Sequence, residues 1–203
     1  MKTNYQLETD KIIKSLGDAR PTLLLLSCCG PCSSYVLEYL TQYFEVTLLF
    51  YNPCIQPEAE YEKRLKYQRM VLEQLNAKIL ECKYDGEAFE ESVARGYESA
   101  PEGGERCTRC FVQRLEKTAR EAAAHGFDYY CTTLSVSPHK DAARLNRIGE
   151  ELGKRYGVQW LPSDFKKRNG YLRSIRLAKE YGLYRQDWCG CRYSHQSENP
   201  SDE

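Results

Sequence analysis

Five short apolar runs, rich in β-branched or aromatic residues, alternate along the chain with longer segments of a different period. The runs are TLLLLS (22–27), EVTLLFY (45–51), AKILECKY (77–84), FDYYCTTL (127–134) and VQWLPS (158–163). Between them, at about 33–42, 58–75, 87–95, 108–125, 139–156 and 168–181, apolar residues recur at spacings of three and four, as on one face of a helix. Parallel strands need a helix-length crossover, so the alternation predicts an α/β fold with a doubly wound, mostly parallel sheet of about five strands and helices on both faces. The 203 residues suit one domain. Residues 1–20 read as a helical extension and 195–203 as a disordered polar tail.

The first run ends abruptly at Ser27, and Cys28, Cys29 and Cys32 follow within five positions. In open α/β sheets the carboxyl ends of the strands are where ligands bind, at the point where strand order reverses. The helix expected from about Ser33 adds backbone N–H groups that favour an anionic ligand or a metal–sulfur group. Two further clusters lie far along the chain, Cys107 with Cys110 and Cys189 with Cys191, the second pair separated by a turn-permitting glycine. With no apolar signal core in MKTNYQLETDK and no run long enough to span a bilayer, the chain reads as cytoplasmic, with no membrane partner. Thiols there stay reduced, so clustered cysteines point to metal rather than to bridges. Seven ligands exceed the four of one zinc; four would hold one cubane iron–sulfur cluster and leave three for a second metal. A structural zinc with incidental thiols is the other reading. Cys82 and Cys131 read as small buried hydrophobes, and Cys54 is left outside the ligand set.

Charge is balanced, 29 basic against 29 acidic residues, so nothing global marks a nucleic-acid binder. Residues 165–195 differ, with eight basic residues (Lys166, Lys167, Arg168, Arg173, Arg176, Lys179, Arg185 and Arg192) against Glu180 and Asp187. Tyr171, Tyr181, Tyr184 and Trp188 interleave with them, a mixture that suits RNA phosphates and an unstacked base, or else an ordinary solvated face. Thr132, Thr133, Ser137 and Lys140 form a polar stretch at the tip of the fourth run. Asn52 lies in the loop after the second, and Tyr184 and Gln186 flank the last cysteine pair. Asp164 reads either as a proton donor or as a helix cap. Glu60 and Arg64 read either as facing the site or as a surface i,i+4 pair.

Six segments in order, LLLSCCGPCSS, FYNPCIQPEAEYEKR, RCTRCFVQRLEKTA, GFDYYCTTLSVSPHK, DFKKRNGYLRS and LYRQDWCGCRYS, resemble the QueH family of epoxyqueuosine reductases from about Leu23 to Ser194. The resemblance implies a HUP-like, Rossmann-like fold and reduction of epoxyqueuosine at the wobble position of a tRNA with a GUN anticodon. It also implies a 4Fe-4S cluster with a neighbouring mononuclear iron, and an electron donor such as ferredoxin or flavodoxin. By the same resemblance Cys28, Cys29, Cys32, Cys107, Cys110, Cys189 and Cys191 are metal ligands, with Cys32 assigned to the lone iron because the family admits Asp there. Read from their own places in the sequence rather than from the resemblance, Asp164 and Tyr184 are the candidates for catalytic roles, and Asn52, Thr132, Thr133, Ser137, Lys140, Lys166, Lys167, Tyr171 and Gln186 for substrate contacts. One loop departs from the usual YNPNIHP: it reads YNPCIQP, with Cys54 for Asn and Gln56 for His. A PP-loop tRNA sulfur transferase would need an SGGxDS-like phosphate loop where this chain has SCCGPCSS. A noncatalytic zinc module that binds RNA or protein is the remaining rival.

Overall fold

The computed structural model describes residues 3–197, with the side chains of 195–197 left aside. Residues 198–203 of the expected tail lie outside the described residues. Helix α1 (Tyr5–Leu16) precedes β1 (Thr22–Leu26), α2 (Gly30–Leu40), β2 (Glu45–Phe50), α3 (Glu58–Leu75), β3 (Lys78–Glu81) and the single turn α4 (Gly86–Phe89). Then come α5 (Glu105–Ala124), β4 (Tyr129–Thr132), α6 (Ala142–Tyr156), β5 (Gln159–Trp160) and α7 (Gly170–Glu180).

All four strand pairings are parallel, in the order β3-β2-β1-β4-β5. The centre of such a sheet is covered on both faces and demands a continuous apolar strand. Leu23 to Leu26 meet that demand, each with no exposed surface. α2 packs with α3 and α7, while α5 packs with α6 and against β1 and β4. The order reverses between β1 and β4, so the crevice beyond their carboxyl ends opens at Ser27–Cys29 and at Thr132–Thr133.

Several element boundaries depart from the sequence reading. α2 begins three residues early, at Gly30, with Cys29 as its N-cap and Pro31 in its first turn, where a missing N–H costs nothing. Gly30 is required by proximity: a Cβ there would lie 2.8 Å from the Tyr67 carbonyl oxygen of α3. α5 also begins early, so Cys107 and Cys110 stand on successive turns of one helix instead of at a loop junction. The helix expected at 87–95 is α4 followed by a π turn over Glu90–Ala94. No helix among the described residues is long and apolar enough to cross a membrane.

Candidate metal centre

Cys28, Cys29 and Cys32 leave the end of β1 and enter the first turn of α2, and their sulfurs all lie within 4.8 Å of one another. Cys28 and Cys29 are 3.8 Å apart, sulfur to sulfur. A hydrogen-bonded trio of thiols shares its first negative charge unevenly. Bonds from Cys29 and Cys32 hold the Cys28 thiol well below its ordinary range, while the bond to Cys28 pushes Cys29 up to about 12 and raises Cys32. Such a trio can hold a metal ion.

The CGC turn arrives from the far end of the chain and is tied down by α3. Arg64 is 1% exposed, donates from Nη1 to the Cys189 carbonyl at 3.1 Å and from Nη2 to that of Trp188 at 3.4 Å, and bonds Glu60 through Nε at 2.6 Å. The pair is therefore not a surface bridge; it anchors the site. Gly190 has φ +101°, and a Cβ there would lie 2.8 Å from Ile55 Cγ1, so only glycine passes. The Gln56 N–H donates to the Gly190 carbonyl at 2.9 Å, which joins the turn to the loop after β2.

That loop carries Cys54, which sequence reasoning set aside. It is 4% exposed, and a hydrogen bond from Cys110 lowers its thiol to about 6. Cys110 is raised by the same bond; burial raises Cys189 and pushes Cys191 up to about 12. Cys54 interacts electrostatically with Cys28, Cys189 and Cys191. Its signal in the sequence was its place at a strand tip, shared with Cys28 and unlike Cys131, which is buried inside β4. All ten cysteines are free thiols. Cys82 is half-buried beyond β3, less enclosed than expected.

A buried guanidinium and a partly buried ammonium face the sulfurs. Arg114 of α5 is 4% exposed and donates to Asn52 Oδ1, while Asn52 Nδ2 donates to the Ser27 carbonyl at 2.8 Å. Burial works against the charge of Arg114, but Cys54, Cys110 and Cys28 around it raise its pKa above the ordinary value. Asn52 thus clamps β1, β2 and α5 together. Lys140 pairs with Glu102 at 3.2 Å; burial opposes its ammonium, yet Cys189 and Glu102 hold its pKa above the usual range. The Gly103 N–H donates to Cys107 Sγ at 3.2 Å.

Other expected residues are engaged elsewhere. Asp164 makes an ion pair with Lys166 at 2.7 Å and is not a helix cap, since the N-cap of α7 is Asn169. Tyr184 donates to Glu60 at 3.3 Å, the same carboxylate that pairs with Arg64. Thr132 accepts from Leu134 N–H as the cap of a 3₁₀ turn, and Ser137 accepts from His139 N–H. Thr133 Oγ1 and Gln186 Oε1 are buried without a hydrogen-bond partner among the described residues. Tyr171 is half-buried on α7, and Lys167 is exposed. The basic stretch is partly neutralised: Arg168 pairs with Asp10, Arg173 with Glu38 and Arg192 with Glu90. Lys167, Arg176, Lys179 and Arg185 are exposed and in no ion pair among the described residues.

The thiols predict an alkaline weakness in the metal-free chain. Cys29 is shifted from 9.0 to about 12 by its bond to Cys28, Cys191 from 9.0 to about 12 by burial, and Tyr39 from 10.0 to about 12 by burial. The unfolded chain loses these protons first, so their stabilisation is intact below about pH 9 and lost as pH climbs towards 12. The urea midpoint of reduced, metal-free protein is expected to fall across that window; a flat profile contradicts the thiol environments described.

A doubly wound parallel sheet whose switch-point end carries three clustered free thiols, able to hold a metal ion, defines an α/β protein with a candidate metal site. The chain belongs to the family of epoxyqueuosine reductase QueH, whose model matches residues 23–197. It is 41% identical to the epoxyqueuosine reductase QueH of Streptococcus pyogenes serotype M1, across 96% of this chain and 80% of that one. It is 39% identical to that of Staphylococcus epidermidis, across 94% and 86% of the two chains. For the Thermotoga maritima protein the identity is 36%, across 85% and 90%.

Proposed function

We propose that this chain is an oxidoreductase of tRNA modification that reduces epoxyqueuosine to queuosine, using a 4Fe-4S cluster and a neighbouring iron held by its cysteines. The reading is supported above all by the tether of the CGC turn to Arg64 and to the Cys54 loop, which sets cysteines from distant segments in one electrostatic neighbourhood. Clustered thiols, no disulfide among them, and two buried cations to balance thiolate charge are a donor set fitted to iron and sulfide. Cys28, Cys29, Cys32, Cys107, Cys110, Cys189 and Cys191 would hold the metals. When bound, iron–sulfur groups supply electrons singly, and an iron with an open position withdraws charge from an epoxide oxygen.

The reaction takes two electrons and two protons and releases the oxygen as water. Arg64 and Arg114 keep the thiolate charge compensated where water is excluded. Lys140 holds a retained proton beside Cys189, which makes it the better placed donor than Asp164, already paired with Lys166. Thr133 and Gln186 offer unpartnered polar atoms for substrate hydroxyls. Lys167, Arg176, Lys179 and Arg185 offer free cations to phosphates, and a ferredoxin or flavodoxin would supply the electrons.

Anaerobic purification with iron and sulfide analysis tests the metal part, and nucleoside mass spectrometry of tRNA after dithionite addition tests the activity. The expected protein is brown, bleaches on reduction and converts epoxyqueuosine to queuosine. Colourless protein with one zinc and no conversion would falsify the reading, and ATP consumption during turnover would favour a sulfur transferase.

A further inference from the structure

We propose that Cys54 is an eighth thiolate donor of the metal centre, placed between Cys110 of α5 and the Cys189–Cys191 turn. The inference rests on the iron reading and adds a ligand to it. Three restraints fix the loop that presents Cys54. Asn52 is bonded to Ser27 and to Arg114, Ile55 N–H donates to the Asn52 carbonyl at 3.1 Å, and Gln56 N–H holds Gly190 at 2.9 Å. The loop that carries Cys54 is thereby tied at once to the segment bearing Cys28, the helix bearing Cys110 and the turn bearing Cys189. Cys54 is 4% exposed within that loop and lies within electrostatic reach of Cys28, Cys110 and Arg114.

The contrast with Cys131 shows what an incidental thiol looks like in this fold. Cys131 is fully buried in β4, and its only resolved influence is loss of solvent. Cys54 is almost as buried, yet its loop is bonded through Asn52 to Arg114 and through Gln56 to the Cys189–Cys191 turn, and it is under the influence of thiols and a guanidinium. A small apolar packing residue needs neither. A soft metal needs thiolates in contact, with cationic compensation when water is excluded.

The test compares wild type with Cys54→Ser and Cys54→Asn after identical anaerobic reconstitution. Iron per chain, the sulfur coordination number from iron X-ray absorption and the electron paramagnetic resonance spectrum after dithionite are recorded. Loss of a sulfur neighbour with altered g-values in both variants is expected. The midpoint potential should move positive, because removing an anionic ligand favours the reduced state. Unchanged iron, sulfur number and spectrum in both variants overturn the inference. If the variants do not fold, wild type answers the same question through N-ethylmaleimide labelling and peptide mass spectrometry, with Cys131 as the buried reference. Cys54 labelled faster after chelation, relative to Cys131, supports the assignment; equal labelling in the loaded and chelated forms overturns it. Wild type that holds no iron sinks the iron reading itself, whereas iron-loaded wild type with indifferent variants sinks only the role of Cys54.

Discussion

The Arg64→Leu protein is expected to unfold roughly 6–20 °C below wild type, from a loss of about 3–5 kcal/mol for a broken buried pair at about 2–4 °C per kcal/mol in a chain of this size. The guanidinium is 1% exposed and satisfies three acceptors: Glu60 and the carbonyls of Cys189 and Trp188. Leucine leaves Glu60, whose side chain is 12% exposed, facing two freed carbonyls. Thermal scans of the metal-free and metal-loaded forms separate two consequences. The metal-free form reports the lost pair, and a further loss in the loaded form reports a CGC turn no longer held to its partners. Arg64→Lys keeps the charge but not the three-way fork, so it should fall between the two. Unchanged melting in both forms would mean that the turn holds itself.

Serine at Cys28, Cys29 and Cys32 together should abolish metal binding and turnover while leaving the fold in place. Hydroxyls are poor ligands for soft metals, and the three sulfurs, within 4.8 Å of each other, form the most compact donor group among the described residues. The loss should exceed the roughly 10–100-fold in metal affinity that follows removal of one outer contact. Ser27 and Ser33 already bond Gln68 in the same segment, so hydroxyls are sterically tolerated there. Metal analysis alongside the urea midpoint distinguishes this outcome from misfolding. Retained iron at wild-type stoichiometry would remove these cysteines from the centre.

Much of this was legible before any coordinates. Strand runs and helical periods gave the parallel sheet, because short continuous apolar runs and a 3.6-residue period are written directly in the order of side chains. On α3, within the segment 58–75 read as helical from its spacing, Tyr61, Leu65, Gln68 and Leu72 form a buried stripe. The roles of polar residues were less legible. Nothing in the spacing of Glu60 and Arg64 distinguishes an exposed pair from a buried one, since an i,i+4 register fixes their mutual distance and not which way the helix turns. Asp164 looked equally like a cap, and its partner proved to be Lys166, two residues away. The basic excess over 165–195 was overstated, because Asp10 and Glu38 are remote in sequence from the arginines they neutralise.

By itself, the order of residues determined the fold class, the strand tip at which the first three cysteines lie and the sulfur-rich character of that tip. Those properties follow from local periodicity and from chemistry that no partner can change. Only the tertiary structure decided that Arg64 ties the last cysteine pair to α3, that Arg114 and Lys140 supply the facing charge, and that the loop carrying Cys54 is bonded to the CGC turn. Each of those facts depends on groups brought together from distant positions, as with Arg64 and Cys189, and long-range proximity is set by packing rather than by spacing along the chain.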